Sequence, residues 1–259
     1  MAVKQRLKSG ARKIVRLVAR EFVAAAVAEL DSARGGDRLN QFFSKNHRWI
    51  ALLAERNRRT AVSTYDFIDA EMPDAIFHLD QFAVITSKQD EIVALDGHIL
   101  DLGVYKGTST RALAQIFPDR TIHGFDSFEG LPGDWSFVLA GAFGDVAGTL
   151  PDLPANVRLH KGLFDDTLPT WSRKHTETPV SLLRIDCDIY SSTKTIFDAL
   201  GPMLGPGSWI VFDELIGYRG WQDHEYRAFQ DFLPGSGLGC EYVAHGLTYA
   251  IVKLVKPDQ

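Results

Sequence analysis

Two short runs carry four carboxylates to the ends of apolar segments. Asp186 and Asp188 follow the run from Ser181 to Ile185, and Asp213 with Glu214 follows the run from Ser208 to Phe212. Carboxylates packed so closely raise one another's pKa unless a cation neutralises them. With only oxygen donors on offer, the expected ion is Mg2+ or another hard divalent cation rather than zinc. Such an ion beside a carboxylate base suits activation of an aliphatic hydroxyl, a poor nucleophile at neutral pH. Asp186 and Asp188 are therefore the candidate catalytic residues. The competing reading is that Asp188 and Ser191 cap the following helix while Asp213 and Glu214 face solvent.

A second group surrounds a glycine turn. The stretch Ile-Leu-Asp-Leu-Gly-Val-Tyr-Lys-Gly-Thr-Ser-Thr, from Ile99 to Thr110, passes from an apolar run into a helical pattern. Glycine lets the backbone approach a ligand, and a helix N-terminus offers free amides and a partial positive charge. A dinucleotide fingerprint would need a second glycine two residues after Gly103, where a pyrophosphate touches backbone; this chain has Tyr105 there. The pattern Asp-x-Gly-x-x-x-Gly instead suits a ligand with a ribose and no phosphate, and S-adenosylmethionine (SAM) is the expected one. Its candidate contacts here are Asp101, Gly103, Tyr105, Gly107, Thr108 and Ser109, with Asp101 either ordering the turn or meeting the cofactor's ammonium group. Asp126 lies twenty-three residues after Gly103, the place for a carboxylate that accepts both ribose hydroxyls; Ser127 and Phe128 extend that contact. Farther on, Gly162, Phe164 and Asp165 are placed to meet the adenine, Phe164 by its face and Asp165 through the exocyclic amine. Alternatively Asp166 or Thr167 caps the next helix, with Pro169 in its first turn. Asp186 is also expected to reach the cofactor.

These residues need a scaffold that brings strand ends together. From Gly97 the pattern alternates strand and helix, which implies βαβ units and a parallel sheet. The expected strands are Ile99 to Gly103, Thr121 to Asp126, Val157 to Gly162, Ser181 to Asp186 and Ser208 to Phe212. Between them helices are expected near Thr108 to Phe117, Leu168 to Arg173 and Ser192 to Leu204, with a further helix near Asp223 to Phe232. Two closely linked runs, Glu241 to Ala244 and Thr248 to Leu254, predict an antiparallel hairpin. The fold class is thus α/β: a Rossmann-like, mostly parallel seven-stranded sheet with an antiparallel C-terminal hairpin, the layout of a class I methyltransferase. Upstream, residues 3–31 read as an amphipathic basic helix, residues 33–38 as a linker, and Asn40 to Ala61 as a second helix. Residues 1–95 are expected to form a helical cap and 96–259 the SAM-binding domain.

Composition narrows the partners. The net charge of −5 hides seven basic side chains within residues 1–20, which leaves the remainder at −12. Nucleic acid is not the natural partner of such a body, whereas a cationic sulfonium suits it. The basic helix predicts possible peripheral membrane contact through residues 1–30, or packing against its own domain or a dimer mate. Cys187 and Cys240 fall in apolar runs and read as buried reduced thiols. With no apolar run of transmembrane length and no uninterrupted signal-peptide core, a cytoplasmic location is expected. Gly217 to Glu225, an aromatic and polar loop containing Tyr218, Trp221 and His224, is expected to wall an acceptor pocket with Leu131 to Trp135.

Four ordered motifs, Asp-Leu-Gly-Val-Tyr-Lys-Gly, Gly-Phe-Asp-Ser-Phe-Glu-Gly-Leu-Pro, Arg-Ile-Asp-Cys-Asp-Ile-Tyr-Ser-Ser-Thr and Phe-Asp-Glu, together resemble the macrocin O-methyltransferase family. Its members are bacterial enzymes that methylate sugar hydroxyls on natural products, and the resemblance covers about residues 97–233. It implies SAM as donor and Mg2+ held by Asp186, Asp213 and Glu214, with Asp186 as the base. Members usually show Asp-Asp where this chain has Asp213-Glu214. The resemblance also implies that the N-terminal helices cover the site and help form a homo-oligomer. The reading that follows is a SAM-dependent O-methyltransferase acting on a hydroxyl of a small, sugar-containing metabolite. Its rivals are a peripheral membrane methyltransferase acting on a glycolipid and a non-catalytic SAM-binding module.

Overall fold

A computed structural model describes residues 36–135 and 138–257, with side chains from residue 45 onward. The basic segment 3–31 lies outside the described residues. The chain divides after Val62. A long helix, α1 (Gly36–Glu71), begins at the second glycine of the expected linker and runs past both ends of the helix expected from Asn40 to Ala61. Among the described residues no helix is long and apolar enough to cross a membrane.

Beyond α1 the elements alternate as β1 (Ile76–Phe77), α2 (Gln81–Ser87), α3 (Gln89–Ala94), β2 (His98–Leu102), α4 (Thr108–Ile116), β3 (Ile122–Asp126), β4 (Val157–Lys161), α5 (Phe164–Ser172), β5 (Val180–Ile185), α6 (Tyr190–Leu200), β6 (Trp209–Phe212), α7 (Glu225–Ser236), β7 (Gly239–His245) and β8 (Ala250–Val255). The strands form one sheet in the order β1-β7-β8-β6-β5-β2-β3-β4. Only β8 runs against its neighbours, pairing antiparallel with both β6 and β7. The α/β fold, parallel core and C-terminal hairpin match the sequence reading; the count of seven strands does not. The eighth strand is β1, two exposed residues that pair in parallel with β7 at Ala244 and His245.

Strand alternation sorts the core onto two faces. Leu100, Leu102, Phe125, Leu183, Ile185, Ile210 and Phe212 pack with Trp171, Phe197 and Phe229 of α5, α6 and α7. The intervening residues Ile99, Ile122, Leu182, Trp209 and Val211 pack with Ile85, Ile92 and Leu113 of α2, α3 and α4. The parity that buries Ile99, Leu182 and Val211 on the second face also places Asp101, Arg184, Asp186 and Asp213 on that side. Helix α5 starts at Phe164, four residues before the expected Leu168, and its cap position, Leu163, offers no side-chain bond. Asp166 and Thr167 therefore sit inside the first turn rather than capping it, and Pro169 lies in the helix interior. Cys187 is buried, Cys240 is half-buried, and both are free thiols.

Candidate active site

The chain leaves β2 to build β3 and β4 on one side, then crosses back to place β5 on the other side of β2. Such a reversal in strand order opens a crevice at the carboxyl ends of the strands, where open α/β sheets bind ligands. Gly103 and Asp186 end the two strands flanking it. The Asp186 N–H donates to the Leu102 carbonyl at 2.8 Å, and a Cβ on Gly103 would lie 1.8 Å from the Asp186 carbonyl oxygen. With φ of +101° as well, this position requires glycine. Gly107, at φ +75°, supplies the cap of α4 without a side-chain bond.

Asp126, at the end of β3, sits beside this turn. One carboxylate oxygen accepts the Tyr105 N–H at 2.7 Å and the other accepts the Phe128 N–H at 2.6 Å. Both donors belong to residues held at positive φ, Tyr105 at +49° and Phe128 at +58°. The carboxylate thus ties two strained turns together, and the Val104 N–H adds a third, weaker contact. Burial raises its pKa, and the backbone N–H groups of Phe128 and Tyr105 oppose that rise. Ser127 accepts the Glu129 N–H at 3.1 Å and donates to the Gly130 carbonyl at 3.3 Å, which closes the turn after β3.

Asp101 is fully buried beneath the glycine turn. One of its oxygens accepts from Ser109 at 2.9 Å and Thr110 at 2.6 Å, and the other from Arg184 at 3.1 Å. The structure therefore puts Asp101 and Ser109 to work ordering the first turn of α4, while Thr108 stays exposed at its start. Gly162, at φ +143°, donates to the Asp126 carbonyl at 3.0 Å. After it Leu163 is exposed, Phe164 packs partly into the core, and Asp165 accepts from Thr195 of α6 at 2.7 Å.

The acidic cluster is built around a residue that sequence reasoning passed over. Arg184, 3% exposed, is the register partner of Asp101 across β2 and β5. Its guanidinium donates to Asp101 at 3.1 Å, Asp186 at 3.2 Å, Asp213 at 2.5 Å and the Gln81 amide oxygen at 3.2 Å. Burial alone would lower its pKa, but Asp213, Asp186 and Asp101 outweigh burial and hold it charged. Gln81 stands at the start of α2, where Asp80 caps the helix, and its amide N–H also donates to Asp213 at 2.6 Å. A charged side chain inside the apolar run Val-Ser-Leu-Leu-Arg-Ile is itself a signal, since arginine is almost never fully buried unless paired.

Asp186, Asp188 and Glu214 each bring an oxygen within 4.8 Å of the others, a spacing that a hard cation would satisfy. Of the expected set Asp186, Asp213 and Glu214, the structure gathers the first and last, turns Asp213 toward Arg184 and Gln81, and adds Asp188. Asp188 is buried at φ +67°, and the cap of α6 is Ile189 with no side-chain bond, so Asp188 does not cap that helix. Against this cluster lies Glu225, the first residue of α7 and fully buried. Burial, then the charges of Asp188, Asp186 and Asp213, hold its carboxyl well above the usual range. Burial lowers the pKa of the half-buried His224. Nearby, the Trp135 and Tyr218 rings pack 5.4 Å apart, which brings the two expected wall loops together.

The comparisons with known proteins agree with this architecture. Residues 100–215 match the family model described as "Methyltransferase domain". The chain is 29% identical over 157 residues to 8-demethyl-8-(2,3-dimethoxy-alpha-L-rhamnosyl)-tetracenomycin-C 4'-O-methyltransferase of Streptomyces olivaceus, covering 52% of this chain and 58% of that one. It is 28% identical over 160 residues to demethyldecarbamoylnovobiocin O-methyltransferase of Streptomyces niveus, covering 51% and 58%. The matches thus span 58% of the length of either relative. Among solved structures, the calicheamicin methyltransferase CalS11 superposes with a TM-score of 0.55 at 18% identity, over 77% of this chain and 91% of that one. The O-methyltransferase NovP gives 0.52 at 22% identity, over 68% and 80%. The fold is the Rossmann-like fold of these methyltransferases.

Proposed function

We propose that this chain transfers a methyl group from SAM to a hydroxyl of a small, sugar-containing metabolite, assisted by a divalent metal ion. The observation that carries the reading is the meeting of two groups at one sheet crevice: Asp126 with its doubly tethered carboxylate, and the carboxylates of Asp186, Asp188 and Glu214. The four motifs of the macrocin O-methyltransferase resemblance, the methyltransferase-domain match and the two sugar- or antibiotic-modifying relatives support it.

In this reading the Asp126 carboxylate receives the ribose hydroxyls. Gly103, Tyr105 and Gly107 let the backbone curve around the ligand, while Asp101 and Ser109 hold that curve from below. When bound, SAM supplies an electrophilic methyl group. The donor set fits a hard divalent cation because all three groups are carboxylates; Asp186, Asp188 and Glu214 would hold it, and it would lower the pKa of the acceptor hydroxyl. Asp188 and Asp186 are the candidate bases for the hydroxyl proton. Arg184 fixes Asp186 from behind and neutralises Asp213, so that Asp186 keeps its orientation at the crevice. Alignment of oxygen, carbon and sulfur supplies much of the rate, and a rigid crevice between β2 and β5 suits that task.

The test is product formation. Purified protein incubated with SAM, Mg2+ and a panel of glycosylated acceptors is expected to release S-adenosylhomocysteine, to lose that activity in EDTA and to regain it with added Mg2+. Full activity in EDTA would remove the metal from the account, and absence of any methylated sugar across a broad panel would remove the acceptor class.

A further inference from the structure

The acid pair that follows β6 is divided between two tasks. Glu214 joins Asp186 and Asp188 in a group whose oxygens lie within 4.8 Å of one another, whereas its neighbour Asp213 stands outside that group. One oxygen of Asp213, Oδ1, takes two bonds, from the Arg184 guanidinium at 2.5 Å and from the Gln81 side-chain amide at 2.6 Å. The Gln81 amide oxygen in turn accepts from Arg184 Nε at 3.2 Å. Gln81, Arg184 and Asp213 thus close a ring of hydrogen bonds. The ring fixes the sense of the amide, because a guanidinium only donates and a carboxylate only accepts.

Gln81 reaches this ring on a turn that is fastened from several sides. Asp80, just before it, caps α2 by accepting from the Phe82 and Ala83 N–H groups at 2.9 and 3.4 Å, and the Asp80 N–H donates to His78 Nδ1 at 3.0 Å. The His78 N–H donates to the His245 carbonyl at 2.9 Å, and the His78 carbonyl accepts the Tyr249 hydroxyl at 2.6 Å, which ties the turn to the C-terminal hairpin. Phe82, one residue on, sets its ring 5.7 Å from the Arg184 guanidinium. Gln81 is therefore a held, half-buried donor to Asp213 rather than a mobile surface amide. It also lies upstream of residues 100–215, outside the stretch that matches the methyltransferase-domain model.

We propose that Gln81 is a positioning residue that withholds Asp213 from the divalent ion, leaving the ion to Asp186, Asp188 and Glu214. This rests on the metal-assisted methyl-transfer reading above and deepens it at the metal. Arg184 alone does not secure Asp213, because its guanidinium is shared among Asp101, Asp186 and Asp213. The amide of Gln81 adds a second donor aimed at the same oxygen and contributes no charge. Three carboxylates already outweigh the charge of a divalent ion. A fourth would bind it more tightly and fill a place in its coordination shell, where Mg2+ ordinarily keeps water and where an acceptor hydroxyl must enter.

The test is the sign of a change in metal affinity. Mg2+ binding to the full chain is measured by calorimetry, and Mn2+ serves as a second probe whose bound waters are counted by water-proton relaxation. Gln81→Met, which keeps the length of the side chain and removes the amide, is expected to bind Mg2+ about five- to tenfold more tightly and to leave bound Mn2+ with about one water fewer. Adding Asp213→Asn to Gln81→Met is expected to abolish that gain, and Asp213→Asn alone to stay within about threefold of wild type. A merely structural role for Gln81 predicts the opposite sign, since a disturbed site binds its ion less well. Unchanged or weaker Mg2+ binding by Gln81→Met, or a gain that survives in the double variant, would overturn the proposal. So would a loss of about tenfold or more in Asp213→Asn alone, a result that does not depend on how Gln81→Met folds. A wild-type chain that binds S-adenosylhomocysteine but neither ion would remove the metal from the methyl-transfer reading, and this proposal with it.

Discussion

Replacing Arg184 by methionine removes the guanidinium that bridges β2, β5, β6 and α2 while keeping most of the volume of the side chain. Three carboxylates, Asp101, Asp186 and Asp213, lose their ion-pair partner at once, two of them in places that are at most 13% exposed. Breaking a buried pair by deleting one partner costs about 3 to 5 kcal/mol, since the orphaned charge stays behind. For a domain of this size that is a fall in Tm of about 6 to 20 °C. The loss has a second signature. With Arg184 gone, Asp186 loses one neutralising partner and a divalent cation at Asp186, Asp188 and Glu214 stabilises the fold by more, so Mg2+ is expected to raise the Tm of the variant by more than it raises that of wild type. Adding Asp101→Asn to Arg184→Met deletes one of the orphaned charges and is expected to recover about 1 to 2 kcal/mol in a double-mutant cycle. Thermal and urea unfolding, with Mg2+ and with EDTA, measure all three quantities. A Tm within about 3 °C of wild type and no added Mg2+ response would refute the view that Arg184 is the internal cation of the site.

Other expected outcomes follow from single features. Asp188→Asn and Glu214→Gln should each weaken Mg2+ binding, read by calorimetry, by about tenfold or more, whereas Asp213→Asn, whose carboxylate faces Arg184 and Gln81, should change it less. Burial, then the charges of His160, His98 and His175, lower His123 from 6.5 to about 4. The folded protein thus keeps His123 neutral where the unfolded chain protonates it, so its contribution is complete above pH 6.5 and is lost as pH falls toward 4. That loss should amount to about 1 to 2 kcal/mol once partial exposure is discounted, and His123→Gln should flatten the slope of urea stability against pH in this window.

How much of this was legible in the sequence depends on where the signal resides. The strands β5 and β6 were readable to within about a residue or two because a parallel strand buried on both faces is a near-continuous apolar run, whereas the edge strand β4 was readable from its alternation of Val157 and Leu159 with polar residues. The two-residue β1 was not, since Ile76 and Phe77 are exposed and their partner strand lies at the far end of the chain. The start of α5 was misplaced because Asp166 and Thr167 resemble cap residues, yet both lie in the first turn, where the acidic Asp165 and Asp166 suit the helix dipole. At the candidate site, the placement of Asp126, Asp186 and Glu214 at strand ends was readable from their positions after apolar runs. The division of labour among the acids was not, because it depends on which face each strand presents and on the left-handed backbone at Asp188. Arg184 was present in the motif but its role was hidden until Asp101 and Asp213 were seen on the same face of the sheet. Glu225 was hidden more deeply, since nothing in a polar loop announces that its last carboxyl turns inward.

The account depends first on a ribose-binding carboxylate at Asp126, so the most direct measurement is calorimetric titration of the full chain with S-adenosylhomocysteine, compared with Asp126→Ala. Wild type is expected to bind in the micromolar range. The variant loses the ribose bonds and also releases the N–H groups of Tyr105 and Phe128, so its affinity is expected to fall by a factor of about one hundred or more, the equivalent of about 3 kcal/mol. Equal affinity in the two proteins, or no binding by wild type, would contradict the account.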